Sequence, residues 1–208
     1  PQRPARLLRH KTRVIPDDHA HDLSLTGRLL RDLRRADDDT PIRDLAGWQK
    51  HREEIALLEC LDVGKPIRDT LNVDVPSAVR TLRWSGEAVD KIYDEIAPTP
   101  PGTLALVQRL PLGVVAAIVP WNFPLSTTAW KLGPSLATGN SVVLKPASNT
   151  PLTAIRIAGL AAEAGLPDGA LQVLPGPGSS LGRHLALHMD IDGLTFTGST
   201  PVGKMLMA

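Results

Sequence analysis

The stretch "GVVAAIVPWNFP", residues 113–124, decides the fold. Its first seven residues form an unbroken apolar run, which is typical of a short strand buried on both faces of a parallel sheet. Two prolines then end the strand, because proline donates no backbone hydrogen bond to a sheet. Between the prolines lie Trp121 and Asn122, and packing alone explains a tryptophan and an amide there poorly. The stretch therefore predicts a buried strand that ends in a stiff loop with a functional role.

Apolar strands and amphipathic helices alternate from this stretch to the end of the chain. The predicted strands are "GVVAAIV" (113–119), "SVVLK" (141–145), "LQVLP" (171–175) and "GLTF" (193–196). Helices are predicted near 125–137, 151–164 and 179–187, and from Thr200 onward. Such alternation predicts the α/β class, with a Rossmann-like parallel sheet covered by helices on both faces.

The chain before this region has a different character. Residues 1–45 form a divergent arm with basic and acidic runs, for which we expect a solvated, partly disordered segment. A helical segment follows, with one helix over 49–66 and a second over 77–95. Their predicted apolar stripes are Ile55, Leu58 and Leu61 in the first helix, and Val79, Leu82, Val89 and Ile92 in the second. The run "TLALVQR" (103–109) alternates as an exposed edge strand does.

Composition excludes several classes of function. The 208 residues carry 23 basic and 22 acidic side chains, a net charge of +1, so we expect no nucleic-acid partner. No apolar run approaches the length of a membrane span, and no charged-then-apolar stretch resembles a signal peptide. The single cysteine, Cys60, fits a reducing, cytoplasmic location. His184 and His188 are four residues apart but lack the carboxylate of a metalloprotease motif, so no metal site is expected.

The four predicted strands all end in loops rich in glycine, proline, serine and lysine, at 120–124, 145–151, 175–180 and 197–203. Parallel strands share a direction, so these loops must meet at one rim, where ligands of α/β sheets bind. The local sequence pattern does not decide the role of the single residues in these loops. Ser199 suits either a phosphate site or an N-cap, Lys145 either a ligand or a surface lysine, and Asn122 either an oxyanion donor or a turn cap.

Three long motifs carry a family resemblance. They are residues 111–154, beginning "PLGVVAAIVPWNFP", residues 164–178, "AGLPDGALQVLPGPG", and residues 196–204, "FTGSTPVGK". In this order and spacing they resemble the NAD(P)-dependent aldehyde dehydrogenase superfamily, from about Gln49 to the last residue. The resemblance makes residues 46–208 an incomplete NAD(P)-binding domain of this type.

The resemblance implies a role for each rim loop. In that family a cysteine thiolate attacks the aldehyde, and the asparagine matching Asn122 stabilises the resulting oxyanion. Phe123 and Trp130 match the substrate tunnel. The implied cofactor-binding residues are Ile118, Pro120, Trp121, Asn122, Lys145, Ser148, Gly178, Gly182, Phe196, Thr197, Gly198, Ser199, Val202 and Gly203. NAD-preferring members commonly have a glutamate where Ser148 stands, so we expect NADP to be tolerated beside NAD.

The family's catalytic glutamate and cysteine follow the "FTGST" motif, whereas here no glutamate follows Glu163 and no cysteine follows Cys60. We therefore expect a fragment that lacks the catalytic domain and is inactive alone. The complete enzyme would oxidise a small aldehyde to a carboxylic acid and would form a homo-oligomer. The alternative is a non-catalytic dinucleotide-binding or interaction module derived from a dehydrogenase.

Overall fold

The computed structural model describes residues 50–207, so the arm predicted for residues 1–45 lies outside the described part. The helices are α1 Arg52–Val63, α2 Val75–Ala88, α3 Pro124–Ala137, α4 Leu152–Glu163, α5 Arg183–Leu187 and α6 Thr200–Met207. The strands are β1 Glu95–Ala97, β2 Ala105–Val107, β3 Val114–Ile118, β4 Ser141–Lys145, β5 Leu171–Val173 and β6 Gly193–Phe196. Shorter helical turns are Ile67–Asp69, Thr70–Asp74, Val89–Lys91 and Gly178–Gly182.

Strands β3 to β6 form one parallel sheet in the order β5-β4-β3-β6. In the register, Ile118 stands beside Lys145 on one side and beside Phe196 on the other. All four strands therefore run in the same direction and end at the same edge of the sheet. The predicted Rossmann-like architecture is confirmed, including all four strands and the helices between them.

The core lies between the sheet and the layer formed by α1 to α4. Ala117, Leu144, Leu132 and Ile157 are at most 1% exposed, and they join both layers in one apolar cluster. On the opposite face, a Cβ built at Gly182 would lie 3.9 Å from the side chains of Ile118 and Lys145. The turn Gly178–Gly182, which leads into α5, therefore covers that face at the rim.

Helix α1 presents a different face to the core than the apolar spacing predicted, whereas α2 buries two of its predicted residues. In α1 the buried residues are Ile55, Ala56 and Glu59, whereas Leu61 is 67% exposed. The prediction that Leu61 is buried was wrong. Helix α1 instead turns the ionisable residue Glu59 toward α3 and α4, where it forms hydrogen bonds with Leu125 and Thr153. In the second helical segment, Val79 and Leu82 are buried as predicted.

The second helix is also shorter than predicted. Its α-helical part ends at Ala88, a single turn follows at Val89–Lys91, and Ile92 is 49% exposed in an extended backbone. The chain then forms β1, which pairs antiparallel with β2 as a hairpin. The predicted strand in 103–109 is confirmed as β2, whereas the sequence did not predict its partner β1, of which only Glu95 lies in the predicted helix.

Across residues 50–207, every helix is too short or too polar to cross a membrane. Within the same residues, histidine, cysteine, aspartate and glutamate side chains do not gather into a group of three that could hold a metal ion.

Candidate functional site

Hydrogen bonds join the four strand-end loops into one rim. The amide of Thr197, after β6, donates to the carbonyl of Ile118 at 3.0 Å, and the amide of Val119 donates to the carbonyl of Lys145 at 3.2 Å. The hydroxyl of Ser148 then donates to the carbonyl of Gly176 at 2.8 Å. Each loop is therefore tied to its neighbour, and the convergence expected from the parallel sheet is present.

A first groove lies where β6 passes into α6. The amide of Gly203 donates to the carbonyl of Ser199 at 3.0 Å, so Ser199 stands immediately before the first turn of the helix. Free N–H groups at such a helix start attract phosphate oxygens. The lining residues are Phe196, Thr197, Gly198, Ser199, Thr200, Gly203, Lys204 and Met207.

A second groove, of about 320 Å³, lies beside the loop after β3. Asn122 is exposed there, between the half-exposed ring of Phe123 and the N-terminal part of α3. Thr197 lines both grooves, so the two lie next to each other at this residue. The lining residues are Val73, Asp74, Ser77, Pro120, Asn122, Phe123, Ser126, Thr127, Trp130 and Thr197.

Lys145 is the last residue of β4 and is only 2% exposed. Its ammonium donates to the carbonyl of Pro146 at 2.8 Å, and burial lowers the pKa of this lysine. An ammonium has three N–H donors, and among residues 50–207 this is the one hydrogen bond that the ammonium of Lys145 makes. Two buried donors without a protein acceptor fit the hydroxyl or phosphate oxygens of a nucleotide.

The remaining predicted residues surround the grooves without lining either one. Trp121 is 57% exposed on the loop after β3, and Val202 is 40% exposed on α6. Ser148 and Gly178 are exposed on the loops after β4 and β5, while Ile118 and Gly182 lie between β3 and α5. They offer surface to a ligand longer than either groove.

Sequence reasoning missed two carboxylates of α1 that reach the rim loops from behind. Glu59 is fully buried and accepts hydrogen bonds from the amide of Leu125 at 3.3 Å and the hydroxyl of Thr153 at 3.1 Å. Burial raises the pKa of Glu59 to about 7. Asp62 accepts from the amide of Leu152 at 2.7 Å. The available signal was a glutamate inside the apolar run "IALLECL".

Lys65 was missed as well. Its ammonium lies 3.6 Å from the centroid of the Phe123 ring and 3.0 Å from a carboxylate oxygen of Asp74. A cation held over an aromatic face by a nearly buried carboxylate fixes the ring from the side opposite to solvent. Phe123 therefore has a defined position at the mouth of the second groove.

Cys60 lies in α1 and lines neither groove. It is partly buried, and its thiol donates to the carbonyl of Lys65 at 2.9 Å. The thiol therefore stabilises the turn after α1, as a structural cysteine does.

Comparison with known proteins agrees with this geometry. The sequence profile described as "Aldehyde dehydrogenase family" matches residues 45–208. The chain is 59% identical over 159 residues to the NADP/NAD-dependent aldehyde dehydrogenase PuuC of Escherichia coli, and 50% identical to the aminoacetaldehyde dehydrogenase of Pseudomonas aeruginosa. Each match covers 76% of this chain and 32% of the relative.

Solved structures give the same result. An indole-3-acetaldehyde dehydrogenase complexed with NAD+ superposes with a TM-score of 0.82 at 58% identity, covering 88% of this chain and 36% of that one. The aldehyde dehydrogenase KauB from Pseudomonas aeruginosa superposes with a TM-score of 0.80 at 60% identity, covering 85% and 35%. The chain thus spans about a third of the length of the curated relatives it matches. From the rim geometry and these matches together, the chain belongs to the aldehyde dehydrogenase family.

Proposed function

We propose that residues 46–208 form the dinucleotide-binding part of an enzyme that oxidises an aldehyde to a carboxylic acid with NAD or NADP. The observation that carries this proposal is that the two grooves lie side by side at the rim and share Thr197 as a lining residue. A dinucleotide is long enough to reach from the start of α6 to the loop of Asn122. When bound, it supplies the hydride acceptor of the reaction.

The helix start at Ser199 is proposed to hold the pyrophosphate by its backbone N–H groups. The two free donors of Lys145 are proposed to bind ribose hydroxyls, and Ile118, Pro120, Trp121 and Val202 to pack against the rings. Phe196, Thr197, Gly178, Gly182 and Gly203 bring the backbone close to the ligand. The nearly complete burial of Lys145 supports its role, because water competes poorly for its donors.

Asn122 is proposed to donate its side-chain amide to the oxygen of the aldehyde as negative charge develops on it. The exposure of Asn122 on a proline-bounded loop supports this role, because its donors are available and its backbone is restricted. Phe123 and Trp130, both lining the second groove, would receive the rest of the aldehyde.

We further propose that NADP is accepted beside NAD. At position 148 the rim carries a hydroxyl that is already bonded to Gly176, so no charge there repels a 2′-phosphate. A carboxylate at the same position would repel it by Coulomb interaction. The relative PuuC is named as NADP/NAD-dependent, which agrees with this proposal.

Titration of the chain with NAD and with NADP, followed by tryptophan fluorescence, tests the proposal. Both dinucleotides are expected to quench the emission with saturation. A matched pair of variants locates the signal: Trp121→Phe at the rim should lose most of the quenching, and Trp84→Phe on α2 should keep it. Trp84 is 69% exposed and lines neither groove, so it controls for surface tryptophans in general.

Absence of saturable quenching by either dinucleotide would contradict the proposed function. Saturation by NAD alone would contradict only the proposed tolerance of NADP.

The chain alone is expected to give no aldehyde-dependent NAD(P)H. Its one thiol, Cys60, lies in α1 and donates a hydrogen bond to the backbone carbonyl of Lys65. The non-catalytic alternative is not favoured, since the matched relatives are named as dehydrogenases. For the complete enzyme we propose a cytoplasmic homo-oligomer. The hairpin supports assembly, because Ile96 and Leu104 are at least 70% exposed on it.

A further inference from the structure

The helices α3 and α4 begin without a capping side chain of their own. The residues at their N-cap positions are Phe123 and Pro151, and neither side chain hydrogen-bonds to the helix. The first four N–H groups of any helix lack intrahelical acceptors, and burying them unpaired is costly. Leu125 is fully buried, so its amide needs an acceptor from elsewhere in the fold.

Helix α1 supplies those acceptors from a single face. One oxygen of Glu59 accepts from the amide of Leu125 in the first turn of α3, at 3.3 Å. One oxygen of Asp62 accepts from the amide of Leu152 at the start of α4, at 2.7 Å. Residues three apart lie on the same side of a helix, so one helix reaches two helix starts that are far apart in sequence.

Both capped helices directly follow rim loops. Helix α3 follows the loop of Trp121 and Asn122, and α4 follows the loop that begins at Lys145 and includes Ser148. A helix start that is fixed in space also fixes the end of the loop that enters it.

The surroundings of Glu59 connect it to both capped helices and to the first rim loop. Its other oxygen accepts from the hydroxyl of Thr153 at 3.1 Å, on α4, so this carboxyl group bridges both capped helices. Asp74 and Lys65 are the charged groups that face it, and they form an ion pair of 3.0 Å with each other. Lys65 in turn contacts the ring of Phe123, which belongs to the same rim loop as Asn122.

We propose that Glu59 and Asp62 are positioning residues, which cap α3 and α4 from one face of α1 and so set the two rim loops that carry Asn122 and Lys145. This inference deepens the proposed function and rests on it for the chemistry of those loops. The capping itself concerns only contacts within the chain, so it can be tested without any ligand.

The test is amide hydrogen exchange measured by NMR on the full chain and on two variants. Glu59→Leu is expected to speed exchange at Leu125 about tenfold more than at Leu152, because it removes the acceptor of the Leu125 amide and leaves that of the Leu152 amide in place. Asp62→Ala is expected to have the reverse effect, about tenfold more at Leu152 than at Leu125. Glu53→Ala, an exposed acid of the same helix, is expected to leave both rates within about twofold.

A conservative variant separates the acceptor from general stability. In Glu59→Gln the amide oxygen still accepts from Leu125, so the exchange rate there should return to within about threefold of the unsubstituted chain. Failure of this rescue would contradict the proposal. Equal changes at Leu125 and Leu152 in the Glu59→Leu and Asp62→Ala variants, or no change at either, would overturn it, because a purely structural effect does not discriminate the two sites. Asp62 is partly exposed, so Asp62→Ala keeps the test open if Glu59→Leu does not fold.

Discussion

The loop after β3 and the loop after β6 end neighbouring strands at the same rim, yet they are held in different ways. The first loop enters α3, whose residues from Pro124 to Ala129 are buried. Where the loop meets the helix, Glu59 accepts from the amide of Leu125 and Lys65 contacts the ring of Phe123. The second enters α6, whose eight residues include none that is buried in the described part of the chain.

The sheet shows the same contrast. Strand β3 is paired on both sides, whereas within residues 50–207 strand β6 pairs with β3 only. The comparison teaches that the side chain proposed to meet the reacting oxygen stands on the best-packed part of the molecule. The backbone groups proposed to hold the pyrophosphate stand on a part with few tertiary contacts of its own.

The largest difference between the two regions is expected in how much each loses in stability when a leucine of its strand is replaced by alanine. Leu144→Ala in β4 removes a fully buried side chain from the core and is expected to lower the free energy of unfolding by about 3 kcal/mol. Leu194→Ala in β6, where the leucine is 37% exposed, is expected to cost less than about 1 kcal/mol. Urea unfolding followed by circular dichroism measures both, and equal costs would contradict the contrast.

The pH dependence of stability should reveal the buried carboxyl group behind the first loop. Burial raises the pKa of Glu59 from 4.5 to about 7 in the folded chain, so folding favours the protonated form. Its stabilising contribution is complete below pH 4.5 and is lost as the pH rises to about 7, a change on the order of 3 kcal/mol.

Glu59→Gln cannot titrate, so this part of the pH profile should flatten in that variant. Urea unfolding at a series of pH values gives the comparison. Glu53→Gln, on the exposed side of the same helix, should retain the unsubstituted profile. Identical slopes for Glu59→Gln and the unsubstituted chain would show that Glu59 keeps an ordinary pKa.

The smallest expected effect concerns the second loop. A methyl group added at Gly198 would lie 2.5 Å from one ring carbon of Phe196 and 2.9 Å from another, so the ring would have to move. Gly198→Ala is expected to weaken dinucleotide binding about tenfold, equivalent to about 1.4 kcal/mol. Gly159→Ala, on an exposed face of α4, should bind as the unsubstituted chain does. Unchanged dinucleotide affinity of the Gly198→Ala variant, measured by fluorescence titration, would contradict a close approach of the backbone at Gly198 to the dinucleotide.

The parallel sheet and the meeting of its loops could be predicted because both follow from local patterns. Short apolar runs such as 113–119 identify buried strands, and a shared strand direction then forces their ends to one edge. The hairpin partner β1 could not be predicted, since three residues directly after a helix become a strand only by pairing with β2.

The support of the site was hidden from the sequence for a related reason. Glu59 acts on Leu125 and Thr153, which are 66 and 94 residues away along the chain. Helical spacing favours apolar residues for the core, so Leu61 was predicted to be buried and Glu59 was not. The clue was indirect: α3 and α4 begin after phenylalanine and proline, so their buried amides need acceptors from outside.

The central claim is that Asn122, Lys145 and Ser199 belong to one rim that binds one dinucleotide. Titration of the isotope-labelled chain with NADP, followed by NMR signals of these three residues and of Thr197, tests it most directly. The account predicts that all four signals shift along one saturation curve, while those of Trp84 on α2 stay in place. Shifts confined to a single loop, or separate curves for Asn122 and Ser199, would contradict the shared site.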